Sequence, residues 1–227
     1  MSHFVDIHTH KTYDLKNISI QSRFIEDIKV SDKATTPYST GIHPWNIKKI
    51  NVKEQLKVLA FVARKPIVCA IGECGIDRSI PINVDRQIEI FEAHISIANF
   101  SDKPLIIHNV RAFSDFLYLI KQNRVHSPWI FHGYTGNLRT AKELIRHGAY
   151  LSFGHHLLKD TSKASEIFKE IPLEYLFLET DDWDGSIEQV YLRASEIKEI
   201  PLTELKDKIY LNYKTIFNNN NNSTFAS

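Results

Sequence analysis

The run Phe4-Val5-Asp6-Ile7-His8-Thr9-His10 is short, largely apolar, and closed by two histidines one residue apart. Side chains alternate along a strand, so His8 and His10 point the same way where the strand gives out. Two imidazoles aimed at one spot can share a metal ion, and neutral imidazole is a common ligand. Five more apolar runs downstream also end in a histidine or a carboxylate.

Strand-like runs are predicted at Phe4 to His8, Ile18 to Gln21, Tyr38 to Ile42, Ile67 to Gly72, Leu105 to His108, Trp129 to His132, Tyr150 to Phe153 and Tyr175 to Glu179. Most are rich in β-branched or aromatic residues, as strands buried on both faces should be. Helical spacing lies between them. Leu56, Leu59, Ala60 and Ala63 follow Asn51 as a cap, with Glu54 three residues on. Ile88, Phe91, Ile95 and Ala98 form a second stripe, Phe113, Phe116, Leu117 and Ile120 a third. Leu138, Ala141 and Ile145 precede a terminating Gly148, and Ile187, Val190, Tyr191, Ala194 and Ile197 make the last. The stripes are core-facing packing.

This alternation predicts an α/β fold, a distorted (β/α)8 TIM-type barrel whose active site lies at the carboxyl ends of the strands. Only Thr9 to Asn17 separates the first two strands, less than a helical crossover needs, so an early helix should be shortened or missing.

At 227 residues, 43% hydrophobic and 11% aromatic, the chain reads as one domain over 1–217, followed by a flexible tail over 218–227 that opens on a run of asparagines. With 28 Lys and Arg against 27 Asp and Glu, no broad basic field exists to hold nucleic acid by counterion release. A nucleic-acid substrate would need a local site. Cys69 and Cys74, the only cysteines, suit reduced thiols in a cytoplasmic protein. No run approaches the roughly 20 apolar residues of a membrane span, and no secretory leader is evident. A cytoplasmic monomer without membrane contact is expected.

The polar residues at the run ends are Gly-Ile-His43-Pro, Ile-Gly-Glu73-Cys-Gly-Ile-Asp77, Ile-Ile-His108, Ile-Phe-His132-Gly and Leu-Glu179-Thr-Asp181. Taken singly, His108 or His132 could be a satisfied core histidine, and Glu73 or Asp181 a buried ion-pair member or a helix cap. Together they would be costly at one barrel edge unless a cation compensates them. His8, His10, His108 and His132 with Glu73 and Asp181 exceed the needs of one tetrahedral zinc and suit two metals bridged by a carboxylate. Two divalent ions lower the pKa of a shared water and stabilise charge on a phosphoryl or carbonyl oxygen. A carboxylate touching that water can take its proton.

Phe4 to His10, Gly41 to Pro44, Ile71 to Asp77, Ile107 to Ala112, Phe131 to Gly136 and Leu178 to Asp181 resemble, in order and wording, the motifs of TatD-type metal-dependent deoxyribonucleases, a branch of the amidohydrolase-like barrels. The resemblance runs from residue 1 to Phe217 and includes Asn212 before the last aromatic residue. It implies two divalent cations (Zn, Mg or Mn), one held by His8, His10 and Asp181, the other by His108 and His132, with Glu73 between them. It also implies phosphodiester hydrolysis, with exonuclease action on DNA as the transient partner. Asp181 and Glu73 would be catalytic, Asp181 positioning or deprotonating the attacking water, and His43 and Arg111 would contact substrate phosphate.

The chain departs from the family pattern in places. Asn109 and Val110 intervene between His108 and Arg111, Gly133 stands where a cysteine is frequent, and Asp182-Trp183 replaces a small residue followed by proline. The segments after the first strand and after Trp183 are shortened. His155 and His156 match no ligand position and read as polar loop residues. Two other functions fit the same residues: an ester or amide hydrolase such as an aminoacyl-tRNA deacylase, and a non-catalytic scaffold stabilised by metal.

Overall fold

The computed structural model describes residues 3–11, 16–29, 31, 34–122, 126–159 and 162–217; the tail expected over 218–227 lies outside them. The strands are β1 (Val5–Thr9), β2 (Ile18–Phe24), β3 (Tyr38–Gly41), β4 (Val68–Asp77), β5 (Leu105–Val110), β6 (Trp129–Phe131), β7 (Tyr150–Phe153) and β8 (Leu176–Leu178). They follow one another in chain order in an eight-stranded sheet. The ladders β1 to β2, β3 to β4, β4 to β5 and β7 to β8 are parallel. The fold class is the expected α/β type with the strand order of a (β/α)8 barrel.

The helices are α1 (Val52–Val62), α2 (Val84–Ser101), α3 (Phe113–Gln122), α4 (Leu138–Arg146), α5 (Lys163–Glu170), α6 (Ile187–Lys198) and α7 (Leu202–Phe217). Among the described residues no α-helix follows β1, and β2 is followed only by a three-residue 3-10 turn at Ile25–Asp27. Residues 12–15 of the Thr9 to Asn17 link lie outside the described residues. No described helix is long and apolar enough to cross a membrane.

The chain divides into two compact units, one from Met1–Gln21 and Phe131–Asn219, the other centred on Ser22–Ile130. In the first unit β1 is anchored by Tyr191, whose buried hydroxyl accepts from Val5 N and donates to Val5 O, both at 3.1 Å. A phenol can be fully buried there because both its hydrogen-bonding roles are used. In the same unit Asn212 of α7 donates to the carbonyls of Leu173 and Leu176 at 2.7 and 2.9 Å, tying the last helix to the start of β8.

The second unit packs Phe91, Phe116 and Trp129 edge-to-face, with centroids 5.1, 5.3 and 6.3 Å apart. Such pairs contribute about 0.5–1.5 kcal/mol each beyond their burial. Strand β4 runs five residues past the expected end at Gly72, to Asp77. Gly72 and Gly75 let β4 approach β5 closely: a Cβ at Gly72 would lie 2.3 Å from Ile106 O. A register shift between Ile71 and Cys74 accompanies them.

Candidate active site

In the first unit the end of β1 meets the end of β8. Asp181 N–H donates to His8 O at 2.9 Å, and His10 N–H donates to Asp181 O at 3.0 Å. The Asp181 backbone is thus stitched between the two histidines. Their Nε2 atoms each lie 3.5 Å from Asp181 Oδ1. Asp181 takes a left-handed φ of 53°, which Asp and Asn tolerate better than other residues with side chains. Beneath it, Thr180 donates to Asp6 through both its N–H (3.0 Å) and its hydroxyl (2.6 Å), and that hydroxyl lies 2.8 Å from Thr9 Oγ1. Burial pushes the Asp6 carboxyl up to about 7, opposed by the Thr180 hydrogen bonds.

His132 joins this cluster. Its ring centroid is 4.3 Å from that of His8, and its Nδ1 is 3.5 Å from Glu179 Oε1. Glu179 is 1% exposed. Its Oε1 accepts from Gly133 N–H at 2.7 Å, whereas Oε2 is buried without a hydrogen bond. His8, His10 and Asp181, and likewise His132, Glu179 and Asp181, bring ligand atoms within 4.8 Å of one another. A buried carboxylate oxygen without a donor, among three imidazoles and a second carboxylate, is a donor set that fits a divalent cation. Glu179 was visible in sequence only as part of Leu-Glu179-Thr-Asp181; its pairing with His132 was not.

His156 lies within electrostatic range of Glu179 and Asp181. His155 stacks on Trp183 with centroids 6.0 Å apart. Burial, His155 and Lys159 hold the His156 imidazole below its usual value, while the charges of Glu179 and Asp181 oppose them.

In the second unit His43, Glu73 and His108 bring ligand atoms within 4.8 Å of one another. Glu73 Oε1 lies 3.2 Å from His43 Nε2 and 2.8 Å from His108 Nδ1. His43 Nδ1 accepts the Trp45 N–H at 3.2 Å, so the neutral ring carries its proton on Nε2 and donates from there. That favours His43 as a donor over His43 as a ligand. Asp77 lies 3.5 Å from His108 Nε2. Despite its burial, hydrogen bonds from Ser79 and Trp45 and the adjacent His108 hold the Asp77 carboxyl below its usual range. Arg111 is exposed just past β5, with a φ of 56° and no ion-pair partner among the described residues.

Sequence reading passed over His94, which sits on α2 behind the strand end carrying His43. Its Nδ1–H donates to Ile90 O at 2.7 Å and its Nε2 accepts from Ile42 N–H at 2.9 Å. Both ring nitrogens are used in the neutral form, and burial lowers its pKa to about 4. The folded state therefore binds fewer protons than the unfolded one, whose imidazole titrates near 6.5. The stabilisation is complete above pH 6.5 and is lost as pH falls toward about 4, about 3 kcal/mol in all. Urea midpoints measured across that window should fall less steeply for His94→Gln than for the parent chain. Equal slopes would show that His94 is not the titrating group.

Strand ends bearing imidazole and carboxylate clusters define a metal-dependent hydrolase class. Residues 10–218 match the TatD family, described as TatD related DNase, and the chain belongs to that family. It is similar to an uncharacterized metal-dependent hydrolase of Buchnera aphidicola, 29% identical over 205 residues covering 80% of this chain and 76% of that protein. YabD of Bacillus subtilis, also an uncharacterized metal-dependent hydrolase, is 29% identical over 193 residues, 78% of this chain and 75% of YabD. The fold is shared with YJJV, a TatD homolog from Escherichia coli, at a TM-score of 0.81 and 20% identity over 95% of this chain and 98% of YJJV. That likeness makes the architecture a TIM-type barrel.

Proposed function

We propose that this chain hydrolyses phosphodiester bonds of DNA as an exonuclease that uses two divalent ions. The observation that carries the reading is the first cluster, in which His8, His10, His132, Glu179 and Asp181 bring three imidazoles and two carboxylates together. The family description as DNases supports DNA as the substrate class. His8, His10 and Asp181 would hold one ion, and Glu73 and His108 the other. Bound there, divalent ions would supply electrostatic stabilisation of the phosphoryl group and activation of water near neutral pH.

The remaining work falls to side chains. Asp181 Oδ1, 3.5 Å from both imidazoles, orients the attacking water and takes its proton. His43 donates from Nε2, and the exposed Arg111 offers a guanidinium suited to bidentate phosphate contact.

Release of mononucleotides from end-labelled single-stranded DNA in magnesium or manganese should stop on chelation and return when metal is restored. No release from any DNA or RNA end by protein with measured full metal occupancy overturns the reading. Chelation should also lower thermal stability, because buried carboxylates such as Glu179 lose their compensating charge. With each ion at a hundredfold its Kd, the loss is about 2.7 kcal/mol per ion, or roughly 5–10 °C in Tm for a chain of this size. An unchanged Tm would remove the metal from the folded structure.

A further inference from the structure

Trp45 is 56% exposed. Among the described residues the other exposed large hydrophobics, Phe61, Phe100, Tyr118, Leu192 and Leu211, all lie on α-helices, whereas Trp45 is in a 3-10 turn over Pro44–Asn46. Trp45 lies instead beside the second cluster, with its ring edge-to-face against His43 and His108 at centroid distances of 4.9 and 6.0 Å. The ring is also held in place. Its Nε1–H donates to Asp77 Oδ2 at 2.8 Å. Asp77 in turn is 1% exposed, and its Oδ1 accepts from Ser79 N–H at 2.7 Å and from the Ser79 hydroxyl at 2.5 Å. A large indole is thus kept in water in one orientation by a buried carboxylate.

We propose that the exposed face of Trp45 stacks the terminal nucleobase of the strand being cleaved, beside the phosphate-contacting edge formed by His43. The proposal rests on the phosphodiesterase reading above. Near-neutral net charge leaves little general attraction for a phosphate backbone, so a preformed aromatic surface supplies the hold that charge does not. Every base has a π-face, so the platform binds an end without choosing its sequence. Pinning the ring through Nε1 means that little ordering is left to lose on binding.

The test compares two labelled single-stranded oligonucleotides, one ending in ordinary nucleotides and one carrying abasic tetrahydrofuran residues at both ends, with the parent chain, Trp45→Ala and Trp45→Phe. The parent should prefer the base-bearing end in kcat/KM. That preference should shrink about tenfold in Trp45→Ala and less in Trp45→Phe. An unchanged ratio in Trp45→Ala overturns the proposal, as does a parent that cleaves both ends equally well; in either case the nuclease reading stands. A parent that cleaves neither overturns both.

A spectroscopic readout separates stacking from loss of fold. A phosphorothioate oligonucleotide should quench tryptophan emission in the parent but not in Trp45→Phe, which keeps Trp183 and Trp129, the latter 1% exposed. Quenching that persists in Trp45→Phe also overturns the proposal.

Discussion

Asp181→Asn is expected to lower hydrolysis of single-stranded DNA by ~1000-fold or more at saturating metal, with far-UV circular dichroism unchanged. Asparagine is close to isosteric and also tolerates the left-handed φ of 53° found there. The backbone stitch to His8 O and His10 N should therefore survive. What disappears is the negative charge between two imidazoles and the oxygen that accepts a proton. General-base loss alone is worth about 10²–10⁴-fold, and a weaker hold on the ion adds to it. Activity within tenfold of the parent, with metal content confirmed, would show that Asp181 is neither base nor ligand. His43→Ala should do far less, because it removes a donor and not the acceptor at the reacting centre.

Gly75→Ala should be the most damaging small substitution, destabilising by about 3–5 kcal/mol or preventing folding. An added Cβ would lie 2.1 Å from His108 O, and Gly75 has a φ of 152°, where L side chains are strained. Backbone strain of this kind costs about 1–3 kcal/mol, and overpacking adds about 1–3 kcal/mol. The obstacle is backbone, which has no rotamer to escape into. Because the clash falls on His108 itself, surviving protein should also bind metal more weakly. Thermal melting is the check: the expected fall is roughly 6–20 °C, and a Tm within about 2 °C of the parent would mean that β4 and β5 can separate at no cost.

Much of the fold was legible because its signals are local. The predicted strands start within one residue of the observed ones, since a buried parallel strand is written as a compact run of β-branched and aromatic residues. That the Thr9 to Asn17 link is too short for a helical crossover was legible from chain length alone. Strand β4 was expected to end at Gly72 and runs on to Asp77, and nothing in the sequence says that β5 passes close enough to require glycine there. Helices α5 and α7 were not assigned, α5 being only eight residues long.

Residue types at the strand ends were sufficient to predict a metal centre, because histidines and carboxylates at successive ends of buried runs are costly without a cation. Alternation in β1 also placed His8 and His10 on one side, and the structure puts both against Asp181. Those conclusions follow from the sequence by itself. Tertiary structure decided the partners: that Glu179 sits with His132, that His43 shares Glu73 with His108, that neutral His94 braces the strand end behind His43, and that Trp45 stands in solvent pinned by Asp77. Each joins residues from different elements, dozens of positions apart in most cases. Such distances are set by how strands and helices pack, and periodicity along a chain does not contain them.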